Sequence, residues 1–480
     1  MKVTVAALDK QGNSVAEKMF KVLKEFSVEQ PFHFGFVAPQ KSVLDKKLDL
    51  LIRQSPQSSA VVGIASSKPA SKGYEFLQLE DAALVLQGKV YSPPSKADAL
   101  QQLSKEPKHC EAILQKLIEK ADGDYMFLMV RNGWMAAGRD PVGVQPLYFG
   151  ENRDLAAVAT NRKALWKLGI ENIASFPPGN LAFINRDGFQ FKPVKTLNFS
   201  VPKQITLDDA AYKLQVLVEE SLRRRTHDVK EVSVAFSGGL DSSLVAYLAN
   251  KLGLKVKLLH VSMENEAETE EAISASEQLN LPLQVNLYKD SDVEKTLPKV
   301  VDLIEEADPI KASIGLPFYW TAEQTADAGL QVVLAGQGAD ELFGGYQRYV
   351  NEYCKEGDEK VLKTMFYDVV NICLSNLERD LKITSYHDVE LRMPFASFDV
   401  AEFSVGLPIE CKIEPRLDTL RKLVLRKVAF NLGLPASIVA KPKKAVQYST
   451  GINDAVKRVA KKHGKTVNEY ISELYQNSKQ

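Results

Sequence analysis

The stretch VSVAFSGGLDSSLVAYLANKLG, residues 232–253, constrains the fold more than any other part of this chain. Val232–Phe236 is a β-branched and apolar run of the kind a buried strand needs. Ser237-Gly238-Gly239 ends it. Asp241-Ser242 then opens a helical pattern that puts Leu244, Leu248 and Leu252 on one face. A strand that reaches a helix through so short a turn is half of a strand–helix–strand unit. KVKLLHVSM (255–263), ETEEAISASEQLN (268–280) and QVVLAG (331–336) continue the rhythm. Such alternation predicts a parallel, doubly wound α/β sheet. In sheets of this kind ligands bind beyond the carboxyl ends of the strands.

The turn itself suits a phosphate. Two glycines remove the Cβ atoms that would hold a phosphate away from the backbone. A helix N-terminus offers free N–H groups and the positive end of a dipole. Ser237 and Ser242 add hydroxyl donors. Asp241 would repel a phosphate unless a cation lay between them, which implies Mg2+. The Gly-x4-Gly-Lys-Ser/Thr loop of ordinary nucleotide hydrolases is absent. A second unusual stretch is LAGQGADELFGGYQRYV, residues 334–350. It holds four glycines and the adjacent acids Asp340 and Glu341, and it sets the amide Gln337 between Gly336 and Gly338.

With 480 residues the chain is too long for one compact core, so two or three domains are expected. Residues 1–195 read as an α+β domain built on antiparallel sheets. KVTVAAL, SAVVGIAS, AALVLQGKVY, LAAVATN and GNLAFINRDG are strand patterns, and DYMFLMVRNGWMAAGRD turns at Asn132-Gly133. NFSVPKQITLDDAA reads as a linker and then a helix start, with Thr206 as N-cap. The helix that follows ends in Arg223-Arg224-Arg225, which reads as a solvated end complementing the dipole. The second domain spans 205–480, and from 353 onward it is mostly helical in pattern.

Composition excludes some classes of function. Lys plus Arg is 61 and Asp plus Glu is 61, a balance that argues against a nucleic-acid or membrane-surface binder. Cys110, Cys354, Cys373 and Cys411 form no CxxC pair, so neither a zinc site nor a redox motif is expected. The start of the chain is too short and polar for a secretory signal, and there is no run of 18 apolar residues. A cytoplasmic protein is the expectation.

SGGLDSS resembles the pyrophosphate loop of the N-type ATP pyrophosphatases. Within that group the chain resembles the asparagine synthetases over nearly its whole length. GRDPVGVQPLYFG (138–150) is similar to their RDPxGxxPLYY, FPPGN (176–180) to their PPG turn, and VELRMPF (389–395) to their VExRxPF. AKPKKAVQYSTG (440–451) resembles their lysine segment, and 334–350 resembles their SGEGADELFGGY. The resemblance implies an Ntn-hydrolase-like, glutamine amidotransferase type 2 domain at 1–195 and an ATP pyrophosphatase domain at 205–480. It implies ATP and Mg2+ as cofactors, with Phe236, Ser237, Gly238, Gly239, Asp241, Ser242, Val261, Ala335 and Gly336 around ATP. Asp241 and Asp340 would hold the metal. Lys382 would hold pyrophosphate, and Lys443 would stabilise charge in adenylation and amide formation. A homodimer is also implied, and no nucleic acid or membrane partner.

The chain departs from that family at two places. Where asparagine synthetases carry Glu, this chain has Gln337, which orients a substrate by hydrogen bonds and cannot act as a base. β-Lactam synthetases are similar in lacking Glu there, so another amide or a lactam rivals asparagine as product. Family glutaminases also use a Cys directly after the initiator Met, whereas Lys2 follows Met1 here and the first cysteine is Cys110. The family's NGEIY appears as Gln87-Gly88-Lys89-Val90-Tyr91, and its RLSI-type arginine segment is not evident. The expectation is a synthetase with a silent glutaminase domain. Its nitrogen would come from free ammonia, an amine substrate or a separate glutaminase. A non-catalytic nucleotide-binding relative is the reading from a different class.

Overall fold

The computed structural model describes residues 2–26, 33–69, 73–92, 96–106, 109–414, 420–442 and 450–479. They form two compact units, Met1–Thr196 and Leu197–Gln480.

The first unit holds two antiparallel sheets. One has seven strands, with Lys2–Asp9 at its centre between Leu155–Ala159 and Ala60–Ser66. The other has six, with Gly123–Arg131 between Ala82–Val90 and Trp134–Arg139. The period-2 rule sets the layers. On Lys2–Asp9, Val3, Val5 and Ala7 pack with the helices Ala16–Glu25 and Arg162–Lys167. The alternate residues Ala6 and Leu8 face the second sheet, against Val85, Met126 and Leu128. The far side of that second sheet packs on the helix Cys110–Lys120. The result is a four-layer helix–sheet–sheet–helix sandwich. The Asn132-Gly133 turn is present as expected, with Arg131 facing Trp134 and Gly133 at φ +79. The GRDPVG segment makes a tight turn in which the buried Asp140 accepts the N–H groups of Val142, Gly143, Val144 and Gln145.

The second unit is built on a five-stranded, wholly parallel sheet. Its order is Leu283–Tyr288, Lys255–Met263, Glu231–Ala235, Val332–Leu334, Glu390–Arg392. The chain runs outward from Glu231–Ala235 on one side and returns to continue on the other, so the order reverses at that strand. On one face, the helices Leu207–Thr226, Leu240–Lys251 and Leu423–Asn431 bury Leu214, Leu244, Leu248 and Val428 against Val234 and Leu334. The other face packs on Asp290–Ile304 and Pro309–Asp327, where Val300, Leu316 and Trp320 meet Val261. Both faces are covered, and the inner strand Val332–Leu334 is apolar and buried throughout.

Thr206 caps the first helix, accepting the N–H of Asp209 at 3.1 Å. The three arginines that end this helix differ from expectation. Arg223 and Arg224 pair with Glu220, one turn back. Arg225 is buried and donates to Ser221 Oγ at 3.0 Å. The final turn packs on the protein, so only part of this end is solvated. No described helix is long and apolar enough to cross a membrane.

Candidate functional site

A cleft of about 1080 Å³, its open mouth included, lies at the carboxyl ends of Glu231–Ala235 and Val332–Leu334. That is the switch point of the sheet, where neighbouring strands send their chains to opposite sides.

The first strand supplies Phe236, Ser237, Asp241 and Ser242 to the cleft. Gly238 turns the chain at φ +64, with Ala272 packed too closely for a side chain. Gly239 starts the helix Leu240–Lys251, and its N–H donates to Ser237 Oγ at 3.3 Å. Ser242 Oγ accepts from Ser237 N, also at 3.3 Å. These hydroxyls hold the loop in a curl around the helix N-terminus. Beyond the loop, Gly239 lines a smaller recess with Lys422, Arg426 and Lys441. Lys441 Nζ reaches Gly238 O at 3.2 Å and Glu271 at 2.9 Å.

The second strand supplies Ala335, Gly336, Gln337 and Asp340. A Cβ on Gly336 would lie 2.8 Å from Asp241 Cβ, so glycine lets the two loops touch. This contact brings the two aspartates onto one point. Lys422 Nζ sits there, 2.6 Å from Asp241 Oδ2 and 2.7 Å from Asp340 Oδ1. Asp241 Oδ1 is buried and has no hydrogen-bond partner among the described residues. Two carboxylates from two loops, one with an unused oxygen, fit a hard divalent cation whose shell phosphate oxygens complete. Among the described residues no cluster of three or more His, Cys, Asp or Glu side chains could hold a metal by itself.

Val261 lines the cleft from the adjacent strand, next to His260. The His260 ring bridges Phe236 O at 3.0 Å and Thr269 Oγ1 at 3.3 Å. Burial holds its pKa below the ordinary histidine value, so it braces Phe236 as a neutral ring.

The far wall of the cleft was not foreseen from sequence. A π-helical turn, Cys373–Leu377, runs into the helix Glu378–Tyr386 and presents Asn376 and Arg379. Arg379 grips the fully buried Asp380 through Nε at 2.7 Å and Nη2 at 3.0 Å. Gln337 Nε2 donates to the same Asp380 carboxylate. Burial raises the Asp380 pKa, while Arg379 and the Gln337 hydrogen bond oppose the rise. Beside them the buried Glu341 accepts from Tyr346 Oη at 2.5 Å and Asn376 Nδ2 at 2.7 Å.

Lys382 requires a correction. It does not line the cleft. Its Nζ binds Glu305 Oε2 and Ile304 O, each at 3.0 Å, at the end of the helix Asp290–Ile304. The Glu305 carboxylate that it meets is buried, so withdrawing the lysine would leave an unpaired buried charge. Lys443 lies outside the described residues.

The strand reversal, the helix N-terminus and the paired carboxylates together define a class. The second unit is an α/β fold with a glycine loop and a helix N-terminus at its switch point. The Asparagine synthase family model matches residues 213–361 and 351–478. A Methanocaldococcus jannaschii protein, named provisionally as glutamine-hydrolysing asparagine synthetase 1, is 33% identical over 75% of this chain and 75% of its own. The glutamine-hydrolysing asparagine synthetase of Asparagus officinalis is 28% identical over 83% of this chain and 72% of its own. The chain belongs to the asparagine synthase family and is an ATP-dependent, amide-forming ligase at that level. Among solved structures, a glutamine phosphoribosylpyrophosphate amidotransferase from B. subtilis with ADP and GMP matches at TM-score 0.32 and 13% identity. That match covers 59% of this chain and 65% of that one. An NMN synthetase from Francisella tularensis matches at TM-score 0.29 and 15% identity, covering 57% and 95%.

Proposed function

We propose that the second unit makes an amide by way of an acyl-adenylate. A carboxylate attacks the α-phosphate of ATP, and pyrophosphate leaves. An amine or ammonia then attacks the acyl carbon, and AMP leaves. The observation that carries this reading is the convergence of Asp241 and Asp340 on one point beside a helix N-terminus. Ser237, Ser242 and the amides after Gly239 would bind phosphate oxygens. Phe236, Val261, Ala335 and Gly336 would form the nucleotide wall. Asp241 and Asp340 would hold Mg2+, which when bound neutralises polyphosphate charge and so makes pyrophosphate a better leaving group. Lys443 remains the candidate for stabilising charge in adenylation.

Gln337 favours a second reading of the acceptor. Its amide is committed to Asp380, so it positions that buried carboxylate and takes no proton from the substrate. Aspartate is the family's default acceptor, and a different carboxylate is the alternative.

The first unit is proposed to lack glutaminase activity. Its strand Lys2–Asp9 carries no thiol. Its one hydroxyl, Thr4 Oγ1, is buried, 2.6 Å from Gln87 Oε1 and 3.3 Å from Tyr74 Oη. Gln87 stands where the family's oxyanion-hole Asn is expected, and its Oε1 accepts from the Thr4 hydroxyl.

The test is pyrophosphate and AMP release from Mg·ATP with aspartate, using ammonium or glutamine as nitrogen source. Turnover is expected with ammonium. With glutamine, neither turnover nor free glutamate is expected, and glutamate release at a comparable rate would overturn the claim about the first unit. Turnover with another carboxylate but not aspartate would select the alternative acceptor. Nucleotide binding without turnover on any carboxylate would overturn the acyl-adenylate reading.

A further inference from the structure

Lys422 is 181 residues from Asp241 in sequence, yet its side chain is 2% exposed and its ammonium bridges Asp241 and Asp340. Two features mark the position as built. Its backbone is left-handed, at φ +63, directly before the helix Leu423–Asn431. Lysine rarely adopts that conformation, and strain of this kind persists only where the surroundings enforce it. Gly345 also packs so closely on Lys422 Cε and the Asp340 carboxylate that no Cβ would fit. One glycine of the 334–350 stretch is therefore there to admit this lysine. A monovalent cation thus occupies the point at which the two aspartates would take a divalent one. Two cations sharing that point would repel each other strongly.

We propose that Lys422 is a resident counter-cation. It holds Asp241 and Asp340 in register and is displaced from them when metal and nucleotide enter together. The proposal rests on the reading of these aspartates as metal-binding. Lys422 also lines the recess that contains Arg426 and Lys441, so the displaced ammonium moves toward incoming polyphosphate. Metal alone must evict the ammonium with no phosphate to receive it, whereas metal with nucleotide offers that phosphate. Lys422 is in this sense a positioning residue that couples metal binding to nucleotide binding.

The test is calorimetric titration of the full chain with Mn2+, alone and with an ATP analogue that cannot be cleaved between its α- and β-phosphates. Wild type should bind Mn2+ weakly alone and tightly with the analogue. Lys422→Met should bind Mn2+ alone about tenfold or more tighter, a usual size for coupled sites. Its melting temperature should also rise further with Mn2+ than that of wild type. Equal Mn2+ affinity in the two proteins would overturn the proposal. If Lys422→Met does not fold, the double variant Asp340→Asn/Lys422→Met should recover folding, because it neutralises one of the two facing carboxylates and so removes their mutual repulsion. No recovery would count equally against the proposal. Wild type that fails to bind Mn2+ even with the analogue would instead sink the metal reading beneath it.

Discussion

Asp241→Asn should slow pyrophosphate release by about a thousandfold, or ~4 kcal/mol of barrier, while leaving the protein folded. Asp241 stands at the first turn of the helix Leu240–Lys251, where the sheet reverses, and it shares one point with Asp340. An amide there keeps the shape and removes one of the two charges that would hold the metal. Stability should change little, because Lys422 keeps its 2.7 Å contact with Asp340. Steady-state rates with saturating Mg·ATP, beside a thermal melt, separate the two effects. A variant with more than a tenth of wild-type activity would show that Asp241 does not ligate the metal.

Gln337→Glu should destabilise the protein by about 2–4 kcal/mol near neutral pH, with a smaller loss in acid. The substitution replaces an N–H donor with a second carboxylate against Asp380, which is fully buried. Burial already raises the Asp380 pKa, and the Gln337 hydrogen bond is one of the contacts that hold it down. In the variant one proton must be shared between the two acids. The folded pair then binds a proton at pH values where the unfolded carboxylates bind none. Stability therefore falls as pH rises through the raised folded pKa and recovers below it. Urea midpoints at pH 5.5 and 8 check this. A variant as stable as wild type at both values would mean that the Gln337–Asp380 contact carries no weight.

These two residues mark what was legible in the sequence. The loop at 237–242 could be read because strand, glycines, hydroxyls and helix start are consecutive, so the turn is written in local sequence. The Gly336 stretch could be read for the same reason. The Asn132-Gly133 hairpin and the Thr206 cap are equally local. Lys422, Arg379 and Asp380 were missed because their neighbours come from packing. Lys422 sits in an ordinary amphipathic stretch, RKLVLRKVAF, and only the folded sheet brings it to Asp241. Its left-handed backbone has no sequence signal, since no glycine or asparagine stands there. Lys382 failed in the opposite sense. Its motif context pointed to the cleft, and a buried glutamate on another helix held it elsewhere. The antiparallel character of the first unit was visible strand by strand. Its pairing was not, because Lys2–Asp9 joins Leu155–Ala159 across almost the whole unit.

The most direct test of adenylation follows an oxygen atom. The acceptor that supports turnover is labelled with 18O in its carboxylate and incubated with Mg·ATP and ammonium, and the AMP is weighed by mass spectrometry. Adenylation predicts one 18O in the phosphoryl group of each AMP and none in pyrophosphate. Unlabelled AMP, or 18O in inorganic phosphate formed together with ADP, would contradict it.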